Sequence, residues 1–350
     1  MTYARKNIAE IAGYTPGEQP QGQKLVKLNT NENPYPPSPM VQVALRDFDY
    51  SRLRLYSEPS ARMVREAAAS AFGIVKDNII CGNGSDDLLT IALRTFVDQG
   101  GKVAFTTPSY SLYPVLGQLQ GSQLCPVELD DDFQLPDNAA QLAEGATLFL
   151  LCRPNAPTGN SFPKARMEKL CREFAGVVWI DEAYADFASD NCLDFVNRFP
   201  NVVVSRTLSK SYSLAGLRLG LAFSTTDLIA EMNKVKDSYN VDMLAQHLAA
   251  AALRDAGYMR ENAQRIRQTR LATTARLREL GCTVLPSETN FLFVRPPKPA
   301  AGLFKALRDE GYLVRYFNLP RVSEYLRVTI GTETEMQGFI ETMARLLAAE

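Results

Sequence analysis

Short apolar runs alternate with amphipathic stretches along most of the chain. Apolar runs near residues 79–82, 103–106, 124–128, 147–151, 177–181, 202–205 and 219–223 predict strands. Helical spacing or turn residues separate them, which is typical of a mostly parallel sheet between two layers of helices. The run at 219–223 follows its predecessor too closely for a crossover helix, so we expect it to be antiparallel to a neighbour.

The pattern changes after residue 225. It predicts a long helix over roughly 226–278 with a break near Gly257, then strands at 283–285, 290–294, 312–315 and 325–330 and helices at 301–310 and 333–349. A chain of 350 residues exceeds the usual size of a single core. We therefore predict an α/β protein with a large domain, residues 36–240, around a mostly parallel seven-stranded sheet. Residues 1–35 and 241–350 would form a small α+β domain with an N-terminal arm, and the proline-rich stretch 33–39 would be a non-helical hinge.

Composition excludes several classes of function. The formal net charge is −1 with dispersed basic residues, which disfavours nucleic acid as a partner. No apolar run approaches the ~20 residues that span a membrane, and the N-terminus lacks the apolar core of a secretory signal. The six cysteines are scattered, which predicts reduced thiols, a cytoplasmic location and no metal site. The single histidine, His247, lies in an apolar helical stretch and is predicted to be structural.

A lysine follows the apolar run at 202–205, in the segment Thr207-Leu208-Ser209-Lys210, and Arg218 lies eight residues further on. Open α/β sheets bind ligands at the carboxyl ends of their strands. A lysine amine is useful as a covalent catalyst with a carbonyl partner, and a cofactor with an aldehyde and a phosphate would use all these groups. We predict that Lys210 forms the Schiff base and that Thr207, Ser209 and Arg218 hold the phosphate. The alternative, left open by this segment alone, is a polar turn with a surface lysine.

Asp181 ends another apolar run, Val177-Val178-Trp179-Ile180. A carboxylate at that strand end could keep a pyridine nitrogen protonated, so that the ring accepts electrons released at a substrate carbon. Tyr184, three residues on, would donate to the phenolic oxygen of the same ring. The alternative is an aspartate that caps the following segment.

A glycine-rich turn, Gly82-Asn83-Gly84-Ser85-Asp86, follows the first predicted strand. We predict Ser85 as the N-cap of a helix whose free amides seat a phosphate. The turn is neither a dinucleotide fingerprint nor a P-loop, because the required glycine and lysine spacings are missing. Alone it is a weak signal.

Together, the order of phosphate turn, strand-end aspartate, strand-end lysine and arginine resembles the fold-type I family of pyridoxal-phosphate enzymes. The segment Arg153-Pro154-Asn155-Ala156-Pro157-Thr158-Gly159 is similar to the Pro-Asn-x-Pro-Thr-Gly segment of one class in that family. Segments 14–18, 28–35, 107–110, 313–317 and 325–332 extend the resemblance, to the histidinol-phosphate aminotransferases, along the whole chain.

The resemblance implies pyridoxal 5'-phosphate as the cofactor and a homodimer with shared active sites. It implies that Tyr110 stacks on the cofactor ring, that the amides near Gly84, Ser85 and Asp86 contact its phosphate, and that Tyr56 reaches the phosphate in the partner subunit. It also implies that Arg327 and Arg315 bind substrate anions, since a guanidinium suits a carboxylate and a phosphate alike. Tyr14 and Asn33 are further substrate-binding candidates, and Tyr239 and Asn240 are candidates for the pocket wall.

Two positions depart from the family pattern. The family usually has Asn immediately before Pro-Thr-Gly to bond the ring oxygen, and this chain has Ala156 there, with Asn155 one residue earlier. Either Asn155 makes the bond through a different backbone path, or Tyr184 makes it alone. The segment Tyr56-Ser57-Glu58-Pro59 differs from the Tyr-Pro-Asp-Pro-like segment of the family, which leaves its local turn undetermined.

The activity that the resemblance implies is ping-pong transamination in histidine biosynthesis. Glutamate and 2-oxoglutarate would exchange an amino group with L-histidinol phosphate and imidazole-acetol phosphate, with Lys210 as the base and Asp181 at the ring nitrogen. Threonine-phosphate decarboxylation or aromatic transamination on the same fold are the alternatives, and 2-oxoglutarate dependence separates the decarboxylase. A non-catalytic module that binds the cofactor as an effector is disfavoured, because no DNA-binding segment is recognisable.

Overall fold

A computed structural model describes residues 3–19 and 25–349 of the chain. Its strands are β1 Val26–Lys27, β2 Ile79–Asn83, β3 Lys102–Thr107, β4 Gln123–Glu128, β5 Ala146–Cys152, β6 Val177–Asp181, β7 Val202–Thr207, β8 Leu219–Phe223, β9 Thr283–Val284, β10 Phe291–Arg295, β11 Tyr312–Leu313, β12 Arg315–Tyr316 and β13 Leu326–Thr329. Its α-helices are α1 Lys6–Glu10, α2 Pro39–Arg46, α3 Arg62–Phe72, α4 Ser85–Phe96, α5 Leu112–Gln120, α6 Ala139–Leu142, α7 Lys164–Glu173, α8 Thr226–Val235, α9 Met243–Arg254, α10 Ala256–Glu279, α11 Ala300–Asp309 and α12 Glu333–Ala348.

The main sheet has seven strands in the order β2-β8-β7-β6-β5-β3-β4. All neighbours are parallel except β8, which is antiparallel to both β2 and β7. Every residue of β7 and β8 is buried, as expected for central strands covered on both faces. The predicted fold class is confirmed, including the antiparallel strand at 219–223.

The predicted long helix over 226–278 is wrong in its continuity. The chain forms α8, α9 and α10 there, with an unpredicted interruption at 236–242 and a second one at Asp255, which agrees with the predicted break near Gly257. The first interruption has a local cause, because the Asp242 side chain accepts a hydrogen bond from the amide of Ala245 and begins a new helix. Asn240 fixes the connecting loop by donating to the Cys81 carbonyl and to Asp87.

Two other local predictions need correction. Gly84, with φ of +80°, precedes α4 as its N-cap, and Ser85 is the first helical residue rather than the cap. The proline-rich stretch is non-helical only as far as Ser38, because Pro39 begins α2, a position where a missing amide hydrogen costs nothing. The Ser38 side chain caps that helix by accepting from the amide of Met40.

A second, antiparallel sheet has the order β12-β13-β10-β9. The predicted strand 312–315 is divided there: β11 pairs in parallel with β1 of the N-terminal segment, and β12 joins the antiparallel sheet after Val314. Arg315 and Arg327 are direct cross-strand partners in that sheet. Buried apolar side chains from both sheets belong to one continuous core, so the domain division at residues 36 and 240 stays a prediction.

Candidate active site

A cavity of about 250 Å³ opens where the carboxyl ends of β5, β6 and β7 meet the N-terminus of α4, the N-terminal segment and the small sheet. Most of the site residues predicted from the sequence line this cavity: Tyr14, Ser85, Asp86, Tyr110, Asp181, Tyr184, Thr207, Ser209, Lys210, Arg218, Arg315 and Arg327. Residues from both ends of the chain therefore converge on one space.

Four predicted site residues do not line the cavity. Gly84 lies behind it, against the guanidinium of Arg218. Asn33 donates to the backbone carbonyls of Lys210 and Ser211, so it supports the lysine segment from behind. Asn155 is fully buried, and Tyr56 lies on the surface with its ring stacked on Tyr239 at 4.6 Å between centroids. The wall candidates Tyr239 and Asn240 do not line the cavity either.

The Asn155 side chain is occupied by its own loop and by the loop that follows β3. Its amide nitrogen donates to the Pro108 carbonyl and to the Thr158 hydroxyl, and its oxygen accepts from Ser109. Ala156, by contrast, lines the cavity and has no polar side-chain atom. The loop backbone thus places an apolar group where the family pattern has a carboxamide.

Lys210 is the only lysine among the described residues that line the cavity. Its Nζ donates to the Thr30 carbonyl at 2.9 Å and lies 6.0 Å from the centre of the Tyr184 ring. Burial, together with the nearby charge of Arg327, lowers the pKa of Lys210 to about 8. About a tenth of the amine is therefore neutral and nucleophilic at pH 7, far more than for a lysine with the ordinary pKa.

Asp181 is buried at the end of β6, with 3% of its surface exposed. Its carboxylate accepts from the Tyr113 hydroxyl at 3.1 Å, from the Ala183 amide and, at 3.4 Å, from the Ser205 hydroxyl. No cation of the described residues forms an ion pair with it, and burial raises the pKa of Asp181 to about 6. A buried carboxylate whose protein partners are neutral suits a ligand that brings a positive charge.

The phosphate-binding candidates come together around the start of α4. Ser85, the first residue of α4, lines the cavity together with Thr207, Ser209 and Arg218. Glycine is required at two places behind them: a Cβ on Gly220 would lie 2.6 Å from the backbone of Gly84 and Ser85, and one on Gly84 would lie 2.5 Å from Arg218. Free amides at the start of a twelve-residue helix, with an arginine beside them, form an anion site.

Asp86 lies beside these phosphate-binding candidates and adds a negative charge to them. Its carboxylate is 3.3 Å from Arg218 and accepts from the Tyr110 hydroxyl at 3.1 Å. The acid thus holds both Arg218 and Tyr110 in place. Tyr110 in turn packs edge-on against Tyr14 and Tyr113, with centroid distances of 6.0 and 5.5 Å.

Two guanidinium groups face the cavity from the small sheet. Arg327 donates to the Asn29 carbonyl at 2.8 Å, lies over the rings of Phe291 and Phe317, and has a buried Nε with no hydrogen-bond partner among the described residues. Arg315 donates to the Thr15 and Pro16 carbonyls. Burial is the main cause that lowers the pKa of Arg327, and the charge of Arg315 contributes to it. A bound anion would therefore form charge-assisted hydrogen bonds with both guanidinium groups.

Several residues that shape the site were not predicted from the sequence. Tyr113 bonds Asp181, Thr30 bonds Lys210, and Asn31 donates from its amide nitrogen to the Tyr184 hydroxyl at 2.9 Å. For the contacts of Thr30 and Asn31, the only local signal was the unusual density of polar residues in Asn29-Thr30-Asn31-Glu32-Asn33. Tyr113 gave no signal, because it lies on the apolar face of a helix.

These groups fit pyridoxal 5'-phosphate. Lys210 offers an amine with a lowered pKa to the aldehyde, Asp181 a buried carboxylate to the ring nitrogen, and the start of α4 with Arg218 an anion site to the phosphate. No group of three histidine, cysteine or acidic side chains in the described chain is placed to hold a metal ion. No described helix is long and apolar enough to cross a membrane.

Comparison with known proteins agrees with this chemistry. Residues 23–343 match the model of the family "Aminotransferase class I and II". Histidinol-phosphate aminotransferases of Microcystis aeruginosa and Geotalea uraniireducens are 43% and 44% identical to this chain over 348 residues, covering 99% of it and 99% and 100% of theirs.

Solved structures show the same fold. Histidinol-phosphate aminotransferase from Sinorhizobium meliloti in complex with pyridoxal-5'-phosphate superposes with a TM-score of 0.89 at 24% identity, covering 99% of this chain and 98% of that one. Aspartate aminotransferase from Thermus thermophilus with maleate gives 0.78 at 20% identity, covering 93% and 92%. On the sequence matches, the chain belongs to the class I and II aminotransferases and, within them, to the family of the histidinol-phosphate aminotransferases.

Proposed function

We propose that the protein is a pyridoxal-phosphate-dependent aminotransferase that exchanges an amino group between L-histidinol phosphate and 2-oxoglutarate. The observation that carries the proposal is the convergence of Lys210, Asp181 and the arginine pair Arg315 and Arg327 on one cavity. Relatives at 42–44% identity over nearly the full chain carry the name of this activity. The reaction belongs to histidine biosynthesis.

The cofactor, when bound, supplies a ring that accepts the electron pair released at the substrate carbon. Asp181 holds a proton at the ring nitrogen, and its burial makes that charge pairing strong. Tyr184 supplies a phenol at the ring oxygen. Lys210 Nζ would serve as the general base for the proton at the substrate carbon.

The two arginines would let one pocket accept two kinds of substrate in turn. Glutamate presents two carboxylates, whereas histidinol phosphate presents a phosphomonoester and no carboxylate. Arg327, whose Nε lacks a partner among the described residues, is proposed to bind the α-carboxylate, and Arg315 the phosphate or the side-chain carboxylate. Tyr14 closes the cavity beside Tyr110 and would contact the imidazole.

The test is a substrate panel with 2-oxoglutarate as the acceptor. Histidinol phosphate should be converted at a kcat/KM at least about 100-fold above that of phenylalanine, tyrosine or threonine phosphate, because only it combines an imidazole and a phosphate with no carboxylate. Release of carbon dioxide from threonine phosphate without an acceptor would instead identify a decarboxylase, and a preference for phenylalanine an aromatic aminotransferase. The comparisons favour neither alternative.

We also propose a cytoplasmic homodimer whose subunits share active sites. The support is an apolar surface on and near the segment 40–56: Tyr50, Leu53, Leu55 and Tyr56 are more than half exposed, and Tyr56 is 80% exposed although its ring stacks on Tyr239. Such a cluster of exposed large apolar side chains is typical of an interface. All six cysteines are free thiols, in keeping with a reducing compartment.

A further inference from the structure

Asn31 forms hydrogen bonds through both of its backbone polar groups and both ends of its side-chain amide. Its backbone amide donates to the Thr329 hydroxyl at 3.0 Å, and its carbonyl accepts from Asn290 at 2.9 Å. Its φ is +57°, in the left-handed region that asparagine tolerates better than most residues. Its side chain is buried and donates from Nδ2 to the Tyr184 hydroxyl oxygen at 2.9 Å.

Thr329 determines which end of the Asn31 amide faces Tyr184. The Thr329 oxygen already accepts from the Asn31 backbone amide, and its hydroxyl hydrogen points to Asn31 Oδ1 at 3.1 Å. With Oδ1 occupied as an acceptor on that side, the Nδ2 end lies toward Tyr184. Asn31 is therefore a donor to the phenol oxygen and not an acceptor from it.

This polarity has a consequence for Tyr184. A phenol has one hydrogen to donate, and no acceptor among the described residues takes it. The hydrogen is thus left for a ligand in the cavity that Tyr184 lines. Ala156 lines the cavity without a polar side-chain atom, and the amide hydrogens of Asn155 are taken by Pro108 and Thr158. Of the residues considered for the cofactor's phenolic oxygen, Tyr184 is therefore the one with a hydrogen left to donate.

We propose that Asn31 is a positioning residue that fixes the direction of the Tyr184 hydrogen bond toward the cavity. The inference deepens the proposed function, and it rests on pyridoxal phosphate occupying the cavity. Asn31 would act on the cofactor only through Tyr184, without touching the reacting atoms.

The test is a spectral titration of the holoenzyme combined with a double-mutant cycle. Asn31→Asp keeps the shape and the tolerance for positive φ, but its carboxylate accepts the Tyr184 hydrogen and withdraws it from the cavity. A donor to the cofactor's phenolic oxygen lowers the pH at which the bound cofactor changes colour, so we expect Asn31→Asp to raise it by about 1 to 2 pH units. In a Tyr184→Phe background, only the smaller effect of the added charge should remain.

Asn33→Asp is the matched control. It adds the same charge in the same segment, but the Asn33 amide group donates to the carbonyls of Lys210 and Ser211 and not to Tyr184. Its shift should be equal in the wild-type and Tyr184→Phe backgrounds, within about 0.3 pH unit. Asn31→Gly, which also tolerates the backbone angle, serves as a second variant if Asn31→Asp does not fold, and it should raise the transition only when Tyr184 is present.

Different results would contradict the positioning role of Asn31 and the proposed function. An equal shift for Asn31→Asp in both backgrounds would overturn the positioning role, because charge alone would then explain the effect. A protein that binds no pyridoxal phosphate, and so shows no cofactor absorbance, would contradict the proposed function itself.

Discussion

At the scale of single residues, the chemistry depends on one amine whose environment differs from that of a surface lysine. Lys210 is held by the Thr30 carbonyl, and its pKa of about 8 results mainly from burial. The neutral amine is the form that attacks an aldehyde, and its population rises as the pH rises through that value. The apoenzyme should therefore combine with pyridoxal phosphate about tenfold faster per pH unit below pH 8 and at a constant rate well above it, as measured by stopped-flow absorbance.

Borohydride reduction of the yellow holoenzyme tests the same residue. The reduced cofactor should be attached to Lys210, as read by peptide mass spectrometry, and Lys210→Ala should give no adduct. Lys236→Ala is the control, because burial also lowers the pKa of Lys236 although it lies outside the cavity, and this variant should keep the adduct. An adduct on another lysine in Lys210→Ala would refute the assignment.

The arginine pair predicts a difference between the two half-reactions. Arg315→Ala should lower kcat/KM for both glutamate and histidinol phosphate by roughly 30- to 150-fold, the cost of about 2 to 3 kcal/mol for a charge-assisted contact. Arg327→Ala should affect glutamate more, because only glutamate brings an α-carboxylate. Single-turnover kinetics of each half-reaction give the comparison, and an unchanged value for histidinol phosphate in Arg315→Ala would remove the reason for assigning the phosphate to it.

A site residue could be predicted from the sequence when the features that orient it lie close to it along the chain. Lys210, Asp181 and Arg218 each sit at or close to the end of a strand whose apolar pattern is local, so their direction toward the sheet edge can be inferred. Asn31 contacts Tyr184 across 153 residues and Thr329 across 298. Such contacts depend on the assembled fold, and no local pattern predicts them. Whether Asn155 or Ala156 faces the cavity likewise depends on a loop backbone that sequence does not specify.

At the scale of elements, strand β8 and helix α4 form the base of the proposed phosphate site. The strands of the main sheet were predicted to within about two residues, because apolar runs of this length between turn residues are unambiguous in an alternating α/β pattern. The helix bounds within 226–278 were not predicted to this accuracy, because helical periodicity continues across the capped interruption at Asp242. Caps and tertiary anchors such as Asn240 divide helices where periodicity alone does not.

Close contact between β8 and the start of α4 predicts a specific sensitivity. Gly220→Ala would place a Cβ 2.6 Å from the Gly84 and Ser85 backbone, which forces the helix start away from the strand. We expect weaker pyridoxal-phosphate binding by at least about tenfold and a loss of about 1 to 3 kcal/mol in stability. Equilibrium dialysis and thermal unfolding measure the two effects. Gly216→Ala, where nothing lies within 4 Å of the new Cβ, is the control and should change neither.

At the scale of the whole molecule, the cavity is assembled from three parts of the chain. The main sheet supplies Lys210 and Asp181, and the small sheet supplies the arginines. The N-terminal segment 29–31 contacts all three kinds of group: the Asn29 carbonyl binds Arg327, the Thr30 carbonyl binds Lys210, and Asn31 binds Tyr184. The segment therefore links both sheets to Lys210.

The exposed Tyr56 extends this assembly to a second subunit. Since it is absent from the lining of its own chain's cavity, the resemblance-based role at a phosphate requires the partner's site. Lys210→Ala and Tyr56→Phe chains should each have little activity. After subunit exchange at equal amounts, about half the dimers are hybrids, and each hybrid contains one site with both residues intact. The mixture should recover about a quarter of the wild-type activity above the residual values.

The control for this experiment mixes two variants of the same site. Lys210→Ala and Asp181→Asn both lie in one chain's cavity, so each hybrid site carries one defect and activity should not recover. Native mass spectrometry of size-tagged chains would establish that exchange has occurred. Recovery with Tyr56→Phe but not with Asp181→Asn would place Tyr56 across the subunit boundary. Failure to recover after confirmed exchange would mean that each subunit completes its own site, because a shared site requires that one hybrid site be whole.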